Sequence, residues 1–266
     1  MLAIVSTFTV PKRGSSPQEY EDAVWVGPDG NGSGELQASS LTMAVADGAS
    51  ESLLAGRWAR RLVGVFGTNR ATRTLRTFIA DYRTAVDGWD DEVAAYIMER
   101  EDRDHPIQWY EEPGLAKGAH ATILAAEFRD GRSGRAPKWS ASALGDSCLF
   151  QVRDELLYAS FPMSDATSFT YQPPLLGSRG ADESVLRRHV KVTTRDWESG
   201  DSFYLMTDAL AAWFLRLNES GGRPWEPLRD MDTVDAALDF EGWVEERRDR
   251  DQMNNDDTTL VRVDMC

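Results

Sequence analysis

Leu41-Thr42-Met43-Ala44-Val45-Ala46-Asp47-Gly48 is the stretch from which the fold can be read. Leu41, Met43 and Val45 share one face, as in a strand, and the strand runs straight into a carboxylate and a glycine. The same figure, an acidic residue at the edge of an apolar strand, recurs along the chain. Asp22 precedes the apolar run 23–26, Asp146 follows 141–144, Asp208 follows 202–206, and Asp256 precedes 260–263. Singly, each suits a turn, because Asp and Gly punctuate strand ends for conformational reasons. Together they form a set that different strands can deliver to one end of a sheet.

Working outward, the runs 23–26 and 41–46, joined through the Gly-rich stretch 27–34, are expected as paired antiparallel strands. Ser50 can cap a helix in which Leu54, Trp58, Leu62 and Val65 recur at helical spacing, and Leu75, Phe78, Ile79, Tyr82, Val86 and Trp89 continue the pattern in a second. After the polar stretch 99–117, the runs 121–128, 138–144, 148–152 and 156–160 suggest a four-strand meander. Residues 161–190 hold Pro173, Pro174, Gly177 and Gly180 with little periodicity, the mark of a functional flap or of a disordered insert. A strand at 202–206 leads into a helix at 210–217. Thr233 is placed to cap another helix that buries Val234, Ala237, Leu238 and Val244, and 260–263 is a last strand. Strands and helices come in blocks, which argues for an α+β fold of antiparallel sheets covered by helices and against a parallel doubly wound one.

A chain of 266 residues, 41% hydrophobic, suits a single domain over 1–266. Its 29 Lys and Arg against 44 Asp and Glu give a formal charge of -15, and no basic stripe offsets the repulsion a nucleic-acid backbone would feel. No apolar run approaches the ~18 residues that cross a bilayer, and residues 1–10 have no basic group ahead of their apolar stretch as a secretory signal would. The expectation is a cytoplasmic monomer without nucleic-acid or membrane partners. Cys148 and Cys266 are too few for a disulfide framework or a thiolate metal site, and three His leave little scope for zinc. The nine Trp mostly sit at apolar positions and read as core.

Carboxylates brought together repel, and the usual remedy is a hard cation such as magnesium or manganese, which prefers oxygen ligands and water. Two such ions about 3.5 to 4 Å apart acidify a water and stabilise in-line displacement at phosphorus. The acidic set therefore points to a metal-dependent phosphoesterase, provided that the side chains converge.

At this level of detail the chain resembles a known family. Glu21-Asp22-Ala23, Asp47-Gly48, Gly145-Asp146-Ser147, Thr207-Asp208-Ala209 and Asp256-Asp257-Thr258-Thr259 are similar, in order and approximate spacing, to the signature elements of bacterial-type type 2C metal-dependent protein phosphatases. The resemblance implies an α-β-β-α sandwich, two antiparallel sheets flanked by helices, with two Mn or Mg ions at one end and scope for a third. It implies that Asp47 bridges both ions, that Glu21 and the Gly48 carbonyl hold one, and that Asp208 and Asp256 hold the other. Asp22 would bind metal-bound water and Asp146 would recruit a third ion. It implies catalysis through Asp47, Asp208 and Asp256 by attack of metal-bound water on a phosphorylated protein substrate, with no phosphoenzyme.

The pattern also departs from the family. The phosphate-clamping Arg, four residues before Glu21, is replaced by Pro17, leaving Arg13 or Lys12 to reach in from the loop. Ala49 stands where many members have a His, and His120 reads as structural. Ala209 replaces a Gly, and Asp257 replaces an Asn and should raise cation affinity. Arg179, Arg187, Arg188, His189 and Lys191 make residues 161–191 locally basic, fit either to attract a phosphopeptide or simply to solvate a loop. A Ser/Thr protein phosphatase is the leading reading. A pseudophosphatase that binds a phosphoprotein without turnover and a small-molecule phosphoesterase remain alternatives.

Overall fold

The computed structural model describes the chain except for residues 17–18, 31, 132–133, 135, 171 and 232–234. In order the elements are β1 (Leu2–Val10), β2 (Ala23–Val26), β3 (Gly34–Gln37), β4 (Ser40–Ala46), α1 (Ala55–Thr68), α2 (Leu75–Asp87), α3 (Trp89–Asp102) and α4 (Glu112–Lys117). Then come β5 (His120–Ala121), β6 (Ile123–Arg129), β7 (Lys138–Leu144), β8 (Cys148–Arg153), β9 (Leu156–Phe161), β10 (Leu176–Gly177) and α5 (Glu183–His189). The last are β11 (Lys191–Asp196), β12 (Ser202–Met206), α6 (Asp208–Glu219), α7 (Trp225–Arg229), α8 (Ala236–Asp249) and β13 (Thr258–Met265).

Side-chain alternation sorts these strands into layers. On β4, Met43 and Val45 enter a core shared with Phe203 and Leu205 of β12 and Val261 and Val263 of β13, whereas Ala44 and Ala46 face α1. The first set fills the space between a five-stranded sheet, ordered β11-β7-β6-β4-β2, and a six-stranded sheet, ordered β3-β1-β13-β12-β8-β9. Every pairing is antiparallel. Outside the first sheet, Trp58, Leu62 and Phe66 of α1 and Phe78 and Tyr82 of α2 pack on Ala44, Ala46 and Ile123. Outside the second, Leu210 and Phe214 of α6 and Phe240 and Val244 of α8 pack on Phe150, Tyr204 and Leu260. The result is the α+β, α-β-β-α sandwich expected from the motifs.

Several sequence expectations change in detail. The meander is two hairpins in different sheets: β6 pairs with β7 and β8 with β9, and the chain changes sheet at 145–147. Gly145 makes that switch at φ 113°, and a Cβ there would lie 2.5 Å from the Thr122 side chain. Ser50 does not cap α1, which starts after Leu54 in a left-handed conformation (φ 68°). The second helix divides at Gly88 into α2 and α3. On α8 the buried residues are Phe240, Val244 and Arg248, while Ala237 and Leu238 face solvent. The expected cap Thr233, with Val234, lies outside the described residues, as does Pro17. Residues 161–190 carry β10 and α5, whose Leu176 and Leu186 are buried in the α1–α2 layer, and the next residues add β11 as a strand at the sheet edge. Trp109, 80% exposed, is the exception among the core tryptophans. Among the described residues no helix is long and apolar enough to cross a membrane.

Phe203 joins the sheets, its ring meeting Phe128 at 4.8 Å and Trp139 at 5.9 Å edge to face. Phe203→Ala is expected to lower the unfolding free energy by about 3–5 kcal/mol, read from urea titration; a loss under about 1 kcal/mol would contradict this packing account.

Candidate metal centre

Antiparallel pairing decides which strand ends meet. Ala23 lies opposite Ala46, so Asp22, just before β2, and Asp47, just after β4, come to the same edge of the five-stranded sheet. In the six-stranded sheet Met206 lies opposite both Leu260 and Cys148. That register gathers Asp208, Asp146 and the Asp256 that precedes β13 at the corresponding edge. The charges of Asp22, Asp208, Asp256 and Asp146 all act at Asp47, so the acids of both sheets lie within electrostatic reach of one another.

Burial among like charges has the expected electrostatic result. The Asp22 and Asp47 carboxyls are held well above the usual range, first by burial and then by neighbouring aspartates: Asp257 and Asp208 for Asp22, and Asp22 and Asp208 foremost for Asp47. Burial, Asp208 and Asp256 push Asp146 up to about 7, and burial with Asp256 pushes Asp208 up to about 6. Asp256 and Glu21 are also raised, again chiefly by burial. Such a group is stable only when protonated or offset by positive charge.

Polar neighbours fix some of these side chains. Asp22 accepts hydrogen bonds from Thr259 Oγ1 at 2.7 Å and Thr207 Oγ1 at 3.0 Å, which ties β2 of one sheet to the ends of β13 and β12 in the other. Tyr20 adds its hydroxyl to this group. Thr122 Oγ1 accepts from the Asp47 backbone N–H at 3.1 Å and meets Ser147 Oγ at 3.0 Å. Asp257 accepts from the backbone N–H groups of Glu21 at 2.7 Å and Lys12 at 2.8 Å. The two oxygens of Asp257 thus bracket the loop carrying Glu21, while its charge still acts on Asp22. The small residues after the acids serve approach, since a Cβ on Gly48 would sit 2.8 Å from the Glu21 carbonyl oxygen.

The donor set suits a hard cation. It is all oxygen, and Asp22 Oδ1 and Asp146 Oδ1 are buried with no hydrogen-bond partner. Among the described residues no three His, Cys, Asp or Glu side chains form a ready-made cage for one ion. Magnesium-type sites need only one or two carboxylates per ion, with water completing the sphere. The residues present therefore fit a hydrated hard cation better than a closed structural site.

The loop cations divide. Arg13 is engaged away from the acids, donating to Glu245 through Nε at 2.8 Å and to Asp249 at 2.8 Å. Lys12 Nζ instead lies 3.0 Å from Ser50 Oγ, and that hydroxyl donates to Glu21. Arg179 pairs with Asp90, and Arg187 with Glu183. The hydroxyls of Thr207, Thr259, Tyr20 and Thr122 were not singled out from sequence, although Thr207 and Thr259 sit inside the acidic motifs and so carried a positional signal.

In sequence the chain matches no protein-family model and no curated protein. In structure it is similar to the Mycobacterium tuberculosis serine/threonine phosphatase PstP/Ppp, with TM-score 0.57 and 15% identity over 100% of this chain and 99% of that one. The catalytic domain of PstP in complex with two manganese ions gives TM-score 0.54 at 15% identity, covering 99% of both chains. The S. agalactiae serine/threonine phosphatase gives 0.55 at 13% identity, covering 99% of this chain and 100% of that one. The chain thus has the fold of the bacterial type 2C phosphatases that its acidic motifs resemble.

Proposed function

We propose that the chain is a manganese- or magnesium-dependent Ser/Thr protein phosphatase. The observation that carries this reading is the convergence at Asp47, where four further aspartates from both sheets act on one half-buried carboxylate. The fold shared with serine/threonine phosphatases supports it.

In this reading Asp47, Glu21, the Gly48 carbonyl, Asp208 and Asp256 would hold the two ions, and Asp146 would hold a third. When bound, the ions acidify a water nucleophile and offset charge on the phosphoryl oxygens. Thr207 and Thr259 hold Asp22 in one orientation, so that its unpartnered Oδ1 can order a water at the centre. Asp257 fixes the backbone that presents Glu21. Lys12, beside Ser50 and Glu21, takes the phosphate grip that Pro17 cannot provide, since Arg13 is committed to α8.

Asp47→Asn and Asp208→Asn are each expected to lower manganese-stimulated hydrolysis of an aryl phosphate by at least about 100-fold, several kcal/mol of lost charge stabilisation. Manganese binding by calorimetry without any turnover in the unaltered protein would replace the enzyme by a binding module. In chelator-treated protein Asp47→Asn is expected to act in the opposite sense and raise stability by on the order of 1 kcal/mol, because it removes one buried like charge. The same variant loses the rise in Tm that manganese gives the unaltered protein; a lower Tm without metal would contradict the repulsion argument.

Lys12→Ala is expected to raise KM for a phosphopeptide roughly tenfold with a smaller change in kcat, the worth of one charge-assisted hydrogen bond. An unchanged KM would remove Lys12 from the phosphate site.

A further inference from the structure

Arg57 and Arg60 stand three residues apart on α1, a spacing at which like charges repel. With Lys12 and Tyr96 they line a cleft of about 590 Å³ that reaches Glu21 and Ser50 at the border of the metal centre. Arg57 has partners: it donates to Glu99, and its guanidinium lies 5.2 Å from the centre of the Tyr96 ring. Lys12 donates to Ser50. The Arg60 side chain is exposed and makes no ion pair or hydrogen bond among the described residues. Desolvation and the neighbouring Arg57 lower its pKa; the one acid whose charge it feels, Glu92, is paired with Arg61 at 3.5 Å. The two acids inside the cleft are also engaged, Glu19 by the N–H and hydroxyl of Ser16 and Glu21 by Ser50.

Three cations and two carboxylates therefore line one cleft in a chain of formal charge -15, and the exposed Arg60 side chain has no partner among the described residues. A guanidinium presents a planar fork that matches a carboxylate. Given the phosphatase reading above, on which this inference rests, the phosphate occupies the Lys12 end and the remaining positive charge lies to its side.

We propose that the Arg57–Arg60 side of this cleft is a second anion subsite that takes a carboxylate flanking the phosphoresidue, so that the substrate is a phosphoprotein segment with Asp or Glu beside its phosphoserine or phosphothreonine.

The test uses two fluorescent peptides bearing a non-hydrolysable phosphonate in place of phosphothreonine, identical except that flanking Asp residues in one are Asn in the other. In manganese buffer the unaltered protein is expected to bind the Asp peptide about fivefold more tightly, an advantage the size of one exposed ion pair that shrinks as salt is added. Arg60→Lys keeps most of the preference, and Arg60→Gln abolishes it. Equal affinity for the two peptides, binding of neither, or a preference that survives in Arg60→Gln would overturn the subsite. Aryl phosphate hydrolysis by the unaltered protein separates the two readings. Turnover without peptide preference removes the subsite alone, whereas preference without turnover supports the subsite and removes the phosphatase reading.

Discussion

Buried carboxylates that repel one another set the terms for this structure. Asp22, Asp47, Asp146, Asp208 and Asp256 come from strand ends of two different sheets, so their repulsion acts to pry the sandwich open at one edge. What opposes it is the dry layer between the sheets, where Met43, Val45, Phe203, Leu205, Val261 and Val263 interdigitate along the same strands. Thr207 and Thr259 act at the edge itself by giving Asp22 two hydroxyl donors from the opposite sheet. A domain that retains such a group sacrifices stability in return for charge, which is the usual relation between an active site and its scaffold.

Much of this was legible in the sequence because two signals coincide in it. Period-two alternation located β2, β4, β7, β8, β12 and β13 to within a residue or two, and an acid at the end of each motif strand marked the edge where the site lies. The strands that escaped notice are β1, β3, β10 and β11. β1 buries Ala3 and Val5 in one core and Phe8 and Val10 in another, β10 is two residues long, and in β3 and β11 nearly every residue is exposed, so no continuous apolar face announces them. The hairpin exchange at Gly145 was invisible for another reason: β6 to β9 have the same local pattern whether they form one sheet or two, and only tertiary packing decides.

Local competition explains the smaller misreadings. Ser50 has the chemistry of a helix cap, but its hydroxyl is drawn to Glu21 and Lys12, and α1 starts later at Ala55. Asp257 adds its charge beside Asp22 as its position suggests, and two backbone N–H groups also claim its oxygens. Leu238 has the hydrophobicity of a core residue and lies on the wet side of α8, where Phe240, Val244 and Arg248 supply the buried stripe. In each case residue type was read correctly, and the partner was set by a segment far away in the chain.

The place of β13 has a bearing on biosynthesis. It lies between β1 and β12 in the six-stranded sheet, pairing Ala3 with Met265 on one side and Met206 with Leu260 on the other. It also brings Asp256, the Asp257 bracket and the Thr259 hydroxyl. A nascent chain translated only through α8 has every other acid of the ring but no central strand on which to close it. Closing the six-stranded sheet and completing the acidic centre thus depend on the same strand, β13.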